Sequence, residues 1–339
     1  MQTLTDPAIL FFVFGVFAGL VKSNLEIPAP IARFLSLYLL MALGLKGGFA
    51  LAQSGLTAQV ATGLGLAIGL AVAVPIVGYL LLSRFIPRFD AAAVAATYGS
   101  VSAVTFITAT AHLDNQGIAY GGHMAAAMAL MESPAIILAV LMANALRRSQ
   151  AAPVRVGPAG NATLALHGGG QGFSLPKVLH ESFTDGAQLL LLGAMAVGLF
   201  TGEAGQQAMQ PFSGDLFKGM LAFFLLDMGL SAARNLPGLR SQPPLLIAYG
   251  LLAPPVHAGA ALLLAAGVGL PLGDTVLLMV LAASASYIAV PAVVRYAIPE
   301  ANPSLYVGLS LGLTFPLNIL LNILLGISGY TQVAVWVLG

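Results

Sequence analysis

Apolar and polar positions in this chain separate into long blocks, not the short periods of a soluble helix or strand. Apolar runs occupy residues 8–21, 34–51, 60–82, 91–111 and 123–146. A polar stretch rich in Gly and Pro follows, and five more runs come after it, at 187–200, 217–233, 244–270, 275–296 and 305–326. A helix needs about 20 apolar residues to cross a bilayer, so the pattern predicts an all-α integral membrane protein with ten transmembrane helices. Residues 1–146 form a first group of five, 147–186 a polar cytoplasmic linker, and 187–339 a second group of five. The last apolar stretch, 333–338, is too short for another crossing.

Two runs are poor continuous helices. Tyr98-Gly99-Ser100-Val101-Ser102 interrupts the fourth, and Ala283-Ser284-Ala285-Ser286-Tyr287 the ninth. Gly costs a helix about 1 kcal/mol relative to Ala, and Ser competes for backbone hydrogen bonds. Both interruptions carry a Ser-x-Ser pair, and the pairs stand 184 residues apart. Other matches keep nearly the same spacing and order. Met41-Ala42-Leu43-Gly44-Leu45 aligns with Leu226-Asp227-Met228-Gly229-Leu230, Pro75 with Pro254 or Pro255, and Pro134 with Pro316. These matches predict a duplication. Because each half has an odd number of crossings, the second repeat enters the membrane in the opposite sense. Paired interruptions in inverted repeats mark a transporter's binding site.

Composition agrees. The chain is 58% hydrophobic and 7% charged, with mean hydropathy +0.93, whereas a soluble domain carries about 25% charged residues. Net charge of +1 points to no nucleic-acid partner, and the absence of cysteine removes disulfide and thiolate chemistry. Residues 1–7 lack a basic segment, so the first run is expected to remain as a helix. With the linker cytoplasmic, most Lys and Arg fall inside and only Lys46 and Lys218 lie near the outer side. Both termini are then periplasmic, in an inner (plasma) membrane.

A helix broken at mid-membrane offers unpaired N–H groups and a partial positive charge at the start of its second half. Such an end binds an anion without Lys or Arg. The substrate-binding candidates are Gly99, Ser100, Ser102, Thr105, Ser284, Ser286 and Tyr287. Ser102 is placed to cap its half-helix, with Ser286 as its mirror and Pro291 early in the second half-helix. Small residues at these places would alternatively serve only close helix packing. Glu132 and Asp227 are intramembrane acids, costly enough to be functional by default. With Thr314 and Asn318 they supply the oxygen ligands a small cation prefers, making Na+ the expected coupling ion and H+ the rival. Asn318 and Asn322 share a helix face and would line the site or satisfy freed backbone groups. A structural ion pair of an acid with Lys46 is the plainer alternative. His112 and His123 flank an outer loop, where solvation is expected, and His257 reads as a hydrogen-bonded core residue. A Ser102–His257 hydrolytic dyad is the enzymatic alternative, but duplicated Ser pairs have no use for one nucleophile.

These residues resemble the sodium-dependent bicarbonate permeases best known from cyanobacteria, over nearly the whole chain. The resemblance is most specific at Tyr98-Gly99-Ser100-Val101-Ser102, Met131-Glu132-Ser133-Pro134-Ala135, Ala253-Pro254-Pro255-Val256-His257, and 283–291 with 298–304. It implies two inverted five-helix repeats and a homotrimer. It further implies bicarbonate between two broken helices with Na+ beside it, and a PII-like regulatory protein on the cytoplasmic face. The chain departs from the cyanobacterial branch where Tyr287 replaces an acid, Glu132 an Asp, and Asp227 an apolar residue. A secondary transporter importing bicarbonate with Na+ is therefore expected, the alternative being Na+- or H+-coupled transport of another small anion such as an organic acid.

Overall fold

A computed structural model describes residues 7–55, 57–150, 186–239, 242–320 and 327–338. The first half comprises α1 (Pro7–Leu20), α2 (Ala29–Ser54), α3 (Ala58–Leu82), α4 (Arg88–Gly99), α5 (Ala103–Gln116) and α6 (His123–Gln150). The second comprises α7 (Gly186–Gln210), a π-helical turn (Pro211–Asp215), α8 (Phe217–Leu239), α9 (Pro244–Val268), α10 (Leu272–Ala283) and α11 (Ala289–Ala297). It continues with α12 (Pro303–Val307), a π-helical stretch (Gly308–Thr314), α13 (Phe315–Leu320) and α14 (Ile327–Leu338). The described residues are helical apart from short connections.

Six segments are long and apolar enough to cross a membrane: Ala29–Gln53, Ala58–Leu82, Arg88–Gln116, His123–Arg147, Leu189–Pro237 and Pro244–Val268. Pro7–Leu20 and Leu272–Ala283 are shorter apolar helices. Length and composition thus mark fewer spans than the ten expected. The first run makes only a 14-residue helix, the ninth is divided, and Leu189–Pro237 is one 49-residue apolar segment holding two of the expected crossings. A left-handed Gly202 (φ 53°) kinks α7 inside that segment. The second span begins at Ala29, earlier than the hydrophobic run, because Pro28 and Pro30 flank its first turn, where a missing N–H does least harm. The linker expected at 147–186 begins later, since α6 runs to Gln150, and residues 151–185 lie outside those described, as does Asn322.

Helices α1, α2, α7 and α8 form a panel, with α2 packed along α7 and α1 along α8. The remaining helices form a core around the two interrupted ones. Both panel crossings use glycine for close backbone approach. A side chain at Gly15 would collide with the Leu226 carbonyl, and one at Gly229 with the Phe12 carbonyl. In the other crossing Gly198 meets the Leu45 carbonyl and Gly48 the Met195 carbonyl. Without a hydrophobic force between helices in lipid, small residues at such crossings gain association through van der Waals contact. Gly229 therefore corresponds in packing to Gly48, one helical turn beyond the Gly44 that the sequence match selects.

Two loops tie the core's ends. Asp274, in the first turn of α10, accepts the Gly121 N–H at 2.6 Å, and Asp90, in the first turn of α4, accepts the Asn302 N–H at 2.8 Å. Arg147 at the end of α6 makes two 2.8 Å hydrogen bonds to Glu300 and a third to the Ala297 carbonyl. The expectation that His112 and His123 are solvated is not met. Both are buried, His123 with Nε2 3.8 Å from the Asp274 carboxylate, because the loop after α5 folds back over the start of α10.

Candidate substrate site at the two helix breaks

The fourth and ninth runs are both broken, and they break against each other. Helix α4 ends at Gly99 and α5 starts at Ala103, while α10 ends at Ala283 and α11 starts at Ala289. The Ser102 N–H donates to Ser284 Oγ at 3.0 Å, and the Ser286 N–H donates to the Thr97 carbonyl at 2.9 Å. One backbone N–H from each break is thus taken up by the other broken helix, in keeping with the accounting that a low-dielectric interior demands.

Ser102 is the N-cap of α5: its Oγ accepts the Thr105 N–H at 3.2 Å and the Thr105 hydroxyl at 2.9 Å. Ser286 accepts the Val290 N–H at 3.2 Å but stands two residues before the N-cap, Ile288. The second break is longer, and Pro291 at the third position of α11 withholds an N–H there. Ser284 Oγ also donates to the Leu281 carbonyl at 2.8 Å. Its counterpart Ser100 differs. Ser100 Oγ is buried and has no hydrogen-bond partner among the described residues, and the residue is 1% exposed. A buried hydroxyl left unpaired calls for an explanation.

The structure gathers Ser100, Ser102, Thr105, Ser284 and Ser286, all buried, at one crossing point. Gly99 has another use: a side chain there would collide with the Pro75 ring of α3. Tyr287 lies at the panel boundary. Its hydroxyl meets the Met228 sulfur at 3.6 Å and faces Ser102, and its ring packs on Phe315 with centroids 5.1 Å apart. Phe315 in turn packs edge-on against Phe12 of α1, at 5.6 Å.

The cation candidates are dispersed. The Thr314 hydroxyl bonds Tyr98 Oη at 2.6 Å and donates to the Gly250 carbonyl at 3.0 Å. Asn318 donates to the Ala283 carbonyl at 2.9 Å, capping the broken end of α10, and accepts the Tyr330 hydroxyl at 3.4 Å. Asp227 is half-buried beside Met228. Glu132 is half-buried on α6. No cluster of three or more His, Asp and Glu side chains occurs among the described residues. Lys46 pairs with Asp114. His257 Nδ1 is buried without a hydrogen-bond partner among the described residues, and the Ser102 hydroxyl is engaged by Thr105. Sequence reasoning missed Thr97 and Tyr98 as partners of the second half; their place just before Gly99 was the available signal.

The fold is a bundle of apolar helices with two of them broken face to face and their hydroxyls turned into the break, the arrangement of a membrane protein with an internal polar site. The chain matches the model of the Na+-dependent bicarbonate transporter superfamily over residues 7–334 and belongs to that superfamily. No curated protein matches it.

Proposed function

We propose that this protein is a secondary transporter of the inner membrane that imports bicarbonate together with Na+. In this reading the chain makes ten crossings in two inverted five-helix repeats, with both termini outside. The packing equivalences of Gly15 with Gly198 and of Gly229 with Gly48 support the inversion, as do the matching ties at Asp90 and Asp274. The observation that carries the substrate assignment is Ser102 as N-cap of α5 and Ser286 on the Val290 N–H of α11, beside a Ser100 hydroxyl without a partner among the described residues. Helix N-termini supply a positive potential that suits a singly charged oxyanion. A hydroxyl with donor and acceptor capacity suits bicarbonate, which has both an O–H and acceptor oxygens.

Glu132 and Asp227 are the cation-binding acids of this reading. Thr314 and Asn318 hold the frame instead, through Gly250, Ala283 and Tyr98. Na+ offsets the carboxylate charge that would otherwise oppose anion entry, which makes the two substrates interdependent. The core then moves against the panel, and Tyr287 with Phe315 withdraws from or closes over the breaks.

Uptake of labelled bicarbonate into proteoliposomes, with and without an inward Na+ gradient, tests this. Uptake is expected only with Na+. Uptake that follows a proton gradient and ignores Na+ would overturn the coupling. Uptake of a carboxylic acid and not of bicarbonate would overturn the substrate. Glu132→Gln should raise the Na+ concentration for half-maximal uptake severalfold.

A further inference from the structure

The C-terminal turn of α5 is held by two lysines of the panel, one from α2 and one from α8. Lys46 of α2 lies with Nζ 3.6 Å from Asp114 Oδ2, and Lys218 of α8 donates to Asn115 Oδ1 at 2.6 Å. Lys46 also stands 4.3 Å above the ring of Phe217, the buried first residue of α8. The two contacts thus bridge panel and core at adjacent residues of a single turn. That turn ends the half-helix whose other end, fourteen residues long in all, carries the Ser102 cap.

Cations are favoured at this place for a second reason: the last carbonyls of a helix carry partial negative charge. Each contact also stands at the wall of a cavity. One of about 210 Å³ is lined by Lys46 and Asp114 together with Phe106 and Tyr120, and one of about 300 Å³ by Lys218 and Asn115 together with Pro7 and Leu221. The tether therefore joins two faces with room between them, and its members are at the surface: Lys46 is 32% and Asp114 40% exposed. Exposed pairs of this kind are weak individually. Such contacts suit an interface that must open in each cycle, where a buried ion pair would hold it shut.

We propose that Lys46 and Lys218 are positioning residues of the transport cycle, which tether the outer end of α5 to the panel in the state seen here and release it when the core moves. The proposal rests on the transport reading above. It says which contacts between panel and core must break.

The absence of cysteine from the chain allows a direct test. The double variants Lys46→Cys with Asp114→Cys, and Lys218→Cys with Asn115→Cys, are reconstituted and treated with a short reducible bifunctional thiosulfonate. A spacer is used because residues joined through a lysine side chain stand too far apart for a direct disulfide. Cross-linking either pair should stop bicarbonate uptake, and reduction should restore it to within about twofold of the untreated variant. Single-cysteine variants, each compared with its own untreated sample, should show no change on treatment. Full uptake by either cross-linked pair would overturn the proposal, because the faces would then not need to part. If the untreated parent takes up no bicarbonate under any gradient, the substrate reading fails instead. The tether is then read from hydrogen exchange at residues 100–102 and 284–288, which must slow on cross-linking; unchanged exchange there overturns it.

Discussion

Asp90 and Asp274 do the same work at opposite ends of the core. Each sits in the first turn of a helix leading into a break, and each accepts a backbone N–H from the loop that leaves the other broken helix. The carboxylate also faces the positive end of its own helix, so one side chain satisfies both a dipole and a loop amide. The two broken helices are thereby held in register at both ends as well as at their crossing. Asp274 is 3% exposed, and a hydrogen bond to a charged group contributes about 1.5–3 kcal/mol. Asp274→Ala should lower the melting temperature in detergent and speed hydrogen exchange at Gly121. Asp274→Asn, which keeps an acceptor oxygen, should do so less.

Ser100 and Ser284 are chemically alike and should behave differently. Ser284 Oγ accepts the buried Ser102 N–H, so Ser284→Ala strands a donor, at a cost of about 1–3 kcal/mol. Ser100 Oγ has no partner to lose. Ser100→Ala should leave the melting temperature within a degree or so of the parent while raising the bicarbonate concentration for half-maximal uptake severalfold. An unstable Ser100→Ala protein, or one with unchanged uptake, would remove Ser100 from the proposed site.

The Tyr98–Thr314 hydrogen bond joins the first broken helix to the π-helical stretch of the other half. Tyr98→Phe and Thr314→Val, singly and together, form a double-mutant cycle. A neutral buried bond of this kind predicts a coupling of about 0.5–1.5 kcal/mol in unfolding free energy. Strict additivity would show that the contact contributes nothing.

Glu300 carries a pH dependence whose sign is set by its partner. The hydrogen bonds from Arg147 hold its carboxyl below the usual carboxylate range. The stability this adds is fully present above the carboxyl's unfolded pKa and is lost as pH falls through its lower folded value. The acid limb of a stability–pH profile should flatten in Glu300→Gln. The change will be small, since Arg147 and Glu300 are 36% and 38% exposed and screened by water.

Gly99→Ala tests packing apart from binding. A methyl group there meets the Pro75 ring, and overpacking of this kind costs about 1–3 kcal/mol. A lower melting temperature is expected. Pro75→Ala, which opens the space, should recover part of it in the double variant.

Both breaks at the candidate site were legible because interrupting an apolar helix demands unusual residues. Gly99-Ser100 and Ser284-Ala285-Ser286 stand out against Ala, Val and Leu, and both places are breaks. Ser102 as an N-cap was legible from its spacing to Thr105, since capping is a local interaction. The partners of those residues were not. That Thr314 serves Tyr98 and Gly250, and Asn318 the end of α10, depends on contacts spanning 216, 64 and 35 residues of chain. An oxygen-bearing side chain suits a cation and a freed carbonyl's neighbourhood equally well. The buried histidines 112 and 123 were misread for a related reason: burial of a loop is decided by what folds over it.

The sequence by itself determined that the chain is a bundle of apolar helices, where two of them fail, and which hydroxyls stand at the failures. Those properties follow from hydrophobic block length and local backbone preference, which act over a few residues. Tertiary structure alone decided that the two failures meet and that Ser284 is occupied while Ser100 is open. It also decided that Gly229 answers to Gly48 and not to Gly44. Gly44 and Gly48 lie four apart on one helix face, so a one-turn shift leaves the sequence match nearly as good. Both approach a neighbouring backbone, but only Gly48 meets a glycine, Gly198, as Gly229 meets Gly15, and no single helix contains that pairing.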